Sequence, residues 1–337
     1  MKITIREVAK QAGVSVGTVS RAFNNYPDIS EETKKKVNTI AQKLGYSPNI
    51  SARRLSSKRT KVIALIINEI NISTGLTFPL EVMSGVIAQT EKMDYEFVFY
   101  SMSLKKQKEQ TLAEFCVEHD ISGVILQGLS RTDPYYKELQ TTDIPCVVID
   151  LATNNPKVGK ISINNEKASY EVGKLLLEYG HKRVFFINGK RDTDVALERE
   201  SGFRRAFEEA GVCFDEKLVR YANFDEETAY LITKESLGEK EFSAIYATSD
   251  LMALGALRAL NEANINIPEE ASLFGFDDIV LSKYVQPALS TVKQDMVLMG
   301  EEATKLLIGM MEGTIENRKD CFIPHEIKKR ASLGANT

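Results

Sequence analysis

Four polar residues of this chain suit the binding of a small hydroxyl-rich molecule, and each follows a short apolar run. Asp150 closes the run PCVVID, Ser249 lies at the end of SAIYATSD, and Asp277 lies at the end of ASLFGFDD. Arg199 occupies a helix start after the loop that follows RVFFING. Guanidinium and carboxylate groups pair with neighbouring hydroxyls through planar hydrogen bonds. These residue types therefore predict a polyol-binding site.

Aromatic residues in nearby loops would complete such a site. A flat ring can cover the apolar face of a sugar, and Phe78 and Phe224 lie in suitable loops. Gln294 is a further candidate for the rim of the pocket. Each carboxylate has an alternative role as a helix cap or a member of a surface ion pair. Asp250, at the start of a helix predicted over 251–263, is interpreted as a cap.

The elements that must position these residues are short strands alternating with helices. Nine apolar runs of four to eight residues are separated by amphipathic segments such as 81–93 and 165–179, a pattern typical of parallel sheets with helices on both faces. The number of runs predicts two halves, with the ligand beyond the carboxyl ends of the strands in the cleft between them. The runs are VIALII, FVFYS, GVILQG, PCVVID, ISIN, RVFFING, LVRYA, SAIYATSD and ASLFGFDD.

The first 60 residues have a composition different from the rest of the chain. They contain twelve Lys and Arg and four Asp and Glu residues, a net charge of +8, whereas the whole chain carries −4. The remaining residues therefore sum to −12, and a basic end on an acidic body favours a module that binds a polyanion. Thr4 and Glu7 form a capping-box pattern for a helix that ends near Gly13. Ser15 caps a second helix that runs to Asn24, which gives a helix-turn-helix.

A third helix and a linker complete the basic end. The helix begins at Ser30 and stops at Gly45, and its apolar face closes a small three-helix core. Pro48 then interrupts helical structure, and the segment that contains Leu55 can form only one or two helical turns. An ordinary basic linker is the alternative interpretation of residues 48–60.

These motifs resemble the lactose-repressor/galactose-repressor family of bacterial transcription regulators. The resemblance is carried by ITIREVAKQAGVS, VGTVSRAFNN, ISEETKKKV, AQKLGYSPN and SARRLSSKRT, and it extends over essentially the whole chain. It implies that residues 15–21 lie on a recognition helix in the major groove, where Arg21 contacts a guanine. It also implies that the hinge folds on the operator and that Leu55 wedges into the minor groove. The DNA-contact residues expected on this basis are Thr4, Ser15, Val16, Gly17, Thr18, Ser20, Arg21, Asn24, Ser51, Arg53 and Leu55.

For the acidic body, the resemblance implies a periplasmic-binding-protein-like core of two flavodoxin-like lobes. The expected division is a DNA-binding domain over 1–47, a hinge over 48–60 and an effector-binding and dimerisation core over 61–337. Lobe 1 would take about 61–160 and 292–321, and lobe 2 about 161–291 and 322–337. Ser249 departs from the Asn common at that position in the family. The effector-contact residues expected are Phe78, Asp150, Arg199, Phe224, Ser249, Asp277 and Gln294.

The function implied is a regulator, most simply a repressor, that binds a pseudo-palindromic operator as a homodimer and responds to a sugar or sugar phosphate. Co-repression by a purine or a phosphoprotein partner stays open, and a sugar-binding receptor is a further alternative. No Walker loop, nucleophile elbow or CxxC spacing is present, so we expect neither an enzyme nor a cofactor nor a metal site. The chain lacks an 18-residue apolar run and an apolar leader, which predicts a cytoplasmic protein.

Overall fold

Three helices and the turns between them build the N-terminal unit, residues 1–60. The computed structural model describes residues 3–23, 26–46, 61–68, 77–239, 241–315 and 320–336, with the backbone alone at 77, 78 and 239. Within these ranges the unit contains α1 (Ile5–Ala12), α2 (Val16–Phe23) and α3 (Glu31–Leu44). Residues 61–337 form the second unit, called the core here.

The helix ends of the N-terminal unit follow the capping pattern of the sequence. The Glu7 carboxylate accepts a hydrogen bond from the Thr4 backbone N–H at 2.7 Å, and Gly13 ends α1 with φ of 68°. The Ser15 hydroxyl accepts from the Thr18 N–H at 3.0 Å, so it caps α2. The three helices enclose one small apolar cluster, whose buried members are Val8, Ala9, Ala12, Val19, Ala22, Val37 and Ala41.

A six-stranded parallel sheet, called the first sheet here, has the strand order β11-β5-β4-β3-β1-β2. Its interior strands are buried on both faces and are mostly apolar, as expected for a sheet covered by helices on both sides. Its strands are β1 (Val62–Asn68), β2 (Glu96–Met102), β3 (Gly123–Gln127), β4 (Cys146–Ile149), β5 (Val158–Ile163) and β11 (Asp320–Ile323). Between them lie α4 (Thr77–Met93), α5 (Leu104–Glu109), α6 (Leu112–Glu118) and α7 (Pro134–Leu139).

A four-stranded parallel sheet, called the second sheet here, has the order β7-β6-β8-β9. Its strands are β6 (Val184–Asn188), β7 (Val219–Tyr221), β8 (Ala244–Ala247) and β9 (Ser272–Phe274). The helices of this half are α8 (Asn165–Glu178), α9 (Asp194–Glu209), α10 (Glu226–Ser236) and α11 (Asp250–Glu262). Close helix approach explains one glycine, because a Cβ on Gly202 of α9 would lie 1.9 Å from the backbone oxygen of Glu166 in α8.

The chain returns from the second sheet to the first through β10 (Thr291–Gln294) and α12 (Met296–Glu312). After β11, β12 (His325–Lys328) pairs antiparallel with β10. Helix α12 packs against β3, β4 and β5 of the first sheet and against α4. The β10–β12 ribbon therefore lies where the chain passes between the two halves of the core.

The predicted α/β class with two parallel sheets behind a helix-turn-helix is confirmed, and each of the nine apolar runs overlaps a strand. The strands β10 and β12 were not predicted, because TVKQ and HEIK are short and rich in polar residues. The first sheet continues through Ile163, three residues past the expected lobe boundary at 160, and the exact domain limits stay a prediction. In the described parts of the chain, no helix has the length and apolar character needed to cross a membrane.

Candidate functional site

Arg199 lies buried between the carboxyl edges of the two sheets. Its Nε donates to Asn165 Oδ1 at 2.8 Å, and its Nη1 donates to the backbone oxygen of Thr248 at 2.6 Å. The guanidinium carbon lies 3.7 Å from the centre of the Phe276 ring, which supports its flat face. Two hydrogen bonds and one aromatic face thus fix the plane of the guanidinium. Its Nη2 has no hydrogen bond to any other described residue.

Asp150 follows β4 at the carboxyl edge of the first sheet. Its Oδ1 accepts from the Ser162 hydroxyl at 2.6 Å. Burial raises the pKa of this carboxyl group, while the Ser162 hydrogen bond and the nearby Arg199 and Lys160 charges oppose the rise. Arg199 belongs to the other half of the core, so the two predicted residues approach each other across the space between the sheets.

Asp277 follows β9 at the carboxyl edge of the second sheet. Its Oδ1 accepts from Gln294 Nε2 at 2.7 Å, and burial raises its pKa to about 6 although Arg199 attracts its charged form. Gln294 is 4 % exposed, and its Oε1 makes no hydrogen bond within the described residues. The amide orientation is set by this arrangement, because the opposite one would place two oxygens against each other.

Left-handed backbone conformations occur at these strand ends, as they do after several helices at Asp94, Asp120 and Asn264. Asp150 has φ of 61°, Asp277 φ of 119° and Phe224 φ of 60°, all in the region that favours glycine. Residues in such conformations cost about 1–3 kcal/mol each and occur most often at binding and catalytic sites. Aspartate adopts this region more readily than a bulky aromatic residue does, so the strain supports a ligand role for Phe224 above all.

Ser249 and Asp250 differ from the expected arrangement. The Ser249 hydroxyl accepts from the Met252 N–H at 3.2 Å, so Ser249 is the cap of α11. The interpretation of Asp250 as the cap is wrong, because Asp250 is the first residue of the helix and its buried carboxylate binds distant groups. Ser249 stays near the site, since Arg199 donates to the backbone of the adjacent Thr248.

Phe224 lies beside the carboxyl end of β6. A Cβ on Gly189, which follows β6, would lie 2.0 Å from the Phe224 ring, so the ring packs directly on the glycine backbone. Asn188, the last residue of β6, accepts from the Gly189 N–H at 2.8 Å and from the Thr248 hydroxyl at 3.0 Å. These contacts place Phe224 on the same edge of the second sheet as Thr248. Phe78 lies in the first turn of α4 and not in a loop as predicted, and its side chain lies outside the described residues.

An ion pair links the two halves of the core. Arg131, in the turn after β3, donates from Nε to Asp194 Oδ1 at 2.6 Å. Asp194 Oδ2 accepts from the Ala152 N–H at 2.8 Å. Asp194 begins α9, so Arg199 lies in the second turn of this helix and not at its start as predicted. The two donors follow strands of the first sheet. The carboxyl edges of the two sheets therefore face each other.

Sequence reasoning missed the residues that orient the predicted ones. Asn165 and Thr248 hold Arg199, Ser162 holds Asp150, and all three are fully buried or nearly so. Their signal was present, because ISINN and YATSD end in polar residues directly after apolar runs. Asp194 could not have been paired with Arg131 from sequence, since 63 positions separate them.

The N-terminal unit presents an exposed face on α2. Val16 is 41 % exposed, Gly17 and Arg21 are also exposed, and Thr18 and Ser20 are half-buried. Arg21 forms an exposed ion pair with Asp28 and lies 5.4 Å from the centre of the Tyr26 ring. Thr4 and Ser15 serve as helix caps. The predicted contacts Asn24, Ser51, Arg53 and Leu55 lie outside the described residues.

The N-terminal unit leaves room for a side chain at Gly17. A Cβ there would meet one atom within 4 Å, the Ser15 hydroxyl oxygen at an ordinary 3.5 Å. We expect Gly17→Ala to stabilise the N-terminal unit by about 1 kcal/mol, because alanine favours helix, and to weaken DNA binding if the backbone approaches DNA there. Thermal unfolding and fluorescence anisotropy on promoter DNA would measure the two effects. Unchanged DNA affinity would contradict the close approach.

Two family models match the chain. Residues 4–49 match the model described as bacterial regulatory proteins, lacI family, which covers the three-helix unit. Residues 174–333 match a periplasmic binding protein-like domain. The matches fall on the two units that the structure separates.

Curated relatives and solved structures agree with these models. The HTH-type transcriptional repressor PurR of Vibrio atlanticus is 31% identical over 98% of each chain. The HTH-type transcriptional regulator RegA of Clostridium saccharobutylicum is 30% identical over 98% of this chain and 99% of its own.

Among solved structures, a transcriptional regulator CelR–cellobiose complex has a TM-score of 0.76 at 29% identity, covering 98% of this chain and all of the other. The Lac repressor dimer bound to operator has a TM-score of 0.87 at 24% identity over 99% of this chain and all of the other, and it shows the shared fold. From the helix-turn-helix, the two-sheet core and these relatives, the chain belongs to the LacI family of bacterial transcriptional regulators and is not an enzyme.

Proposed function

We propose that this protein is a homodimeric repressor that binds a pseudo-palindromic operator and is released from it by a neutral sugar bound around Arg199. The observation that carries the proposal is the fixed guanidinium of Arg199 between the carboxylates of Asp150 and Asp277. A repressor acts on DNA, so the proposal places the protein in the cytoplasm.

The charges around the site favour an uncharged ligand. Asp150 and Asp277 supply two carboxylates around the one guanidinium of Arg199, which would repel a phosphate group. Carboxylate oxygens accept hydrogen bonds, and sugar hydroxyls can donate them. A neutral sugar therefore fits these three residues better than a sugar phosphate does.

Gln294 supports the same ligand class. A buried acceptor without a donor costs about 1–3 kcal/mol, and Gln294 Oε1 is such an acceptor among the described residues. It belongs to the side chain that holds Asp277. A hydroxyl that donates to Gln294 Oε1 would remove this cost on binding. Phe224 supplies an aromatic ring for the apolar face of the sugar.

The pH dependence of ligand binding follows from the pKa of Asp277. The carboxyl group has a pKa of about 6 and accepts sugar hydroxyls in its charged form, so protonation removes an acceptor. We expect the sugar to bind about tenfold more weakly at pH 5 than at pH 7. Isothermal titration calorimetry over this range measures the change, and equal affinities at both values would argue against Asp277 as a ligand contact.

The switch itself is tested by fluorescence anisotropy of the full-length protein on DNA from its own promoter region. The panel holds cellobiose, other neutral sugars, their phosphates and purines, at fixed salt because salt alone changes DNA affinity. A neutral sugar that lowers DNA affinity supports the proposal. A sugar phosphate or purine that acts in its place, or a ligand that strengthens DNA binding, contradicts it.

The second candidate is co-repression, in which a purine strengthens DNA binding. Similarity to proteins named as PurR repressors favours it, and proteins named as catabolite control protein A are also among the relatives. The panel separates the two modes by the sign of the anisotropy change. A sugar-binding receptor is disfavoured, because it would have no use for the basic helix-turn-helix.

The homodimer is proposed from the symmetry of the target. Two helix-turn-helix units on one two-fold axis match two half-sites of a palindrome. A solved relative, the Lac repressor, is described as a dimer bound to operator. Sedimentation of the free protein and footprinting on the operator test this, and a monomer occupying both half-sites would overturn it.

A further inference from the structure

Asp250 is a buried carboxyl group next to the proposed effector site. Its side chain is fully buried at the start of α11, and burial together with the neighbouring Asp277 charge raises its pKa to about 8. Asp250 was expected to cap its helix, and Ser249 does so instead. The carboxyl group therefore has another role in the core.

Three groups from two other segments converge on this carboxyl group. The Ile279 N–H donates to Oδ2 at 3.0 Å, and the Ser282 hydroxyl donates to the same oxygen. The Thr291 hydroxyl donates to Oδ1 at 2.6 Å. Ile279 and Ser282 lie directly after Asp277, and Thr291 begins β10. Asp250 thus ties the segment behind Asp277 to α11 and to β10.

The backbone of the neighbouring strand end leaves room for this group. A Cβ on Gly275 would lie 2.1 Å from Asp250 Oδ1, so only glycine allows the carboxyl group its position. The Asp250 N–H donates to the Phe276 oxygen at 2.6 Å, which joins the same two segments a second time. The polar site is built into the fold.

We infer that Asp250 is a positioning residue, which holds the segment carrying Asp277 in its binding conformation and makes effector affinity fall when its own carboxyl group ionises. The part that concerns the effector rests on the proposed function. Asp250 is already buried, whereas Asp277 is partly exposed, so a sugar that fills the site removes water from Asp277. The lower local dielectric strengthens the repulsion between the Asp277 charge and a second negative charge on Asp250.

Charged residues lie around Asp250 on several of the elements that pack near it. Asp277 is the charged neighbour that acts most strongly on Asp250, and beyond it lie Asp150 and Arg199. Asp278 is paired with Arg330, which follows β12, so the charge of Asp278 is neutralised from another segment. The basic side chains on these elements are Lys283, at the end of a short 3₁₀ helix (Val280–Lys283), and Lys293 on β10. The charges of both act on Glu81 of α4. The effect on pH dependence therefore comes from the two aspartates.

Asp250→Asn separates charge from hydrogen bonding. An amide oxygen in the place of Oδ2 can accept from Ile279 and Ser282, and the amide nitrogen can donate to the Thr291 hydroxyl. Asp250→Ala removes all three bonds. Asp250→Asn therefore keeps the positioning contacts and Asp250→Ala loses them, while both variants lose the titrating carboxyl group.

A ligand-free measurement tests the titration. A carboxyl group with a raised folded pKa stabilises the fold below its unfolded pKa, near 3.9, and the benefit is lost as the pH rises to about 8. We expect the melting temperature of Asp250→Asn, relative to that of the wild type, to increase from pH 5 to pH 8. Above pH 8 the difference between the two melting temperatures should stay constant. If the difference in melting temperature is the same at every pH from 5 to 9, the claim that Asp250 titrates in this range is wrong.

A second ligand-free measurement tests the positioning. Lys283 lies in the segment that Asp250 holds, and trypsin cleaves there only when the segment opens. We expect faster cleavage after Lys283 in Asp250→Ala and a wild-type rate in Asp250→Asn. Equal rates in all three proteins overturn the positioning role.

Calorimetry with cellobiose as the probe then tests the link to the effector. The wild type should lose affinity both below pH 6 and above pH 8, whereas Asp250→Asn should lose it only below pH 6. If Asp250→Asn also loses cellobiose affinity above pH 8, ionisation of Asp250 is not the cause of the loss. If cellobiose binds neither protein, that sugar is excluded from the proposed function, and the melting and cleavage experiments still decide the inference.

Discussion

Replacing Arg199 with alanine is expected to weaken effector binding about 30-fold to 5,000-fold and to abolish the response of the DNA complex to the sugar. Removing one partner of a buried, hydrogen-bonded charge set costs about 2–5 kcal/mol. Arg199 is 4 % exposed and lies between two carboxyl groups whose charged forms it stabilises. Without it, the pKa values of Asp150 and Asp277 rise further, and both lose capacity as acceptors.

Two further variants separate this effect from unfolding. Arg199→Lys keeps the charge but cannot donate to Asn165 and Thr248 in one plane, so we expect an intermediate loss. Arg205→Ala removes an exposed arginine of the same helix, which pairs with Glu166 on the surface and should leave binding unchanged. Calorimetry with the active sugar measures affinity, and anisotropy without sugar shows whether operator binding survives. Wild-type sugar affinity in folded Arg199→Ala would refute the proposed site.

Replacing Arg21 with alanine is expected to remove discrimination at one base pair of each half-site. A bidentate arginine–guanine contact contributes about 1–3 kcal/mol, which corresponds to about 5-fold to 150-fold. In the free protein Arg21 pairs with Asp28, but both side chains are about half exposed, so this pair contributes little to stability and can be exchanged for DNA. The loss should be specific to the operator, and the response to sugar should persist.

The matched control is Lys36→Ala, which removes the same charge from the exposed surface of α3. A change of charge alone reduces affinity for all sequences and lowers its salt dependence. Arg21→Ala should lower operator affinity more than nonspecific affinity, whereas Lys36→Ala should lower neither or both equally. Anisotropy on the operator and on a scrambled duplex makes the comparison. If Arg21→Ala loses affinity equally for the operator and for the scrambled duplex, Arg21 contacts a phosphate and not a base.

The fold could be predicted from sequence where one segment carries the information by itself. Thr4, Glu7 and Ser15 set helix ends through bonds that span three residues, and each cap is present as predicted. The apolar runs predicted the strands, because a strand buried on both faces needs apolar residues throughout. Strand β12 lacked this signal, since its pairing with β10 depends on where the chain crosses between the sheets.

The candidate site could be predicted only as far as the strand ends. Parallel strands bring their carboxyl ends to one edge, so the order of residues along the chain was enough to assign Asp150 and Asp277 to such edges. Roles that depend on distant partners could not be assigned. Ser249 and Asp250 are both good capping residues by type, and the choice between them is made by Ser282 and Thr291, 32 and 41 positions beyond Asp250.

The Arg131–Asp194 pair has a consequence for the speed of ligand entry. It joins segments that follow strands of the first sheet to the start of α9, and the Asp194 side chain is 3 % exposed, so the carboxylate has exchanged water for Arg131 and the Ala152 N–H. Arg199 is buried, and we expect these contacts to oppose any separation of the two sheets that lets a ligand reach it. Where such a separation must precede binding, we expect the observed association rate to level off at high sugar concentration, at the frequency with which the two halves part.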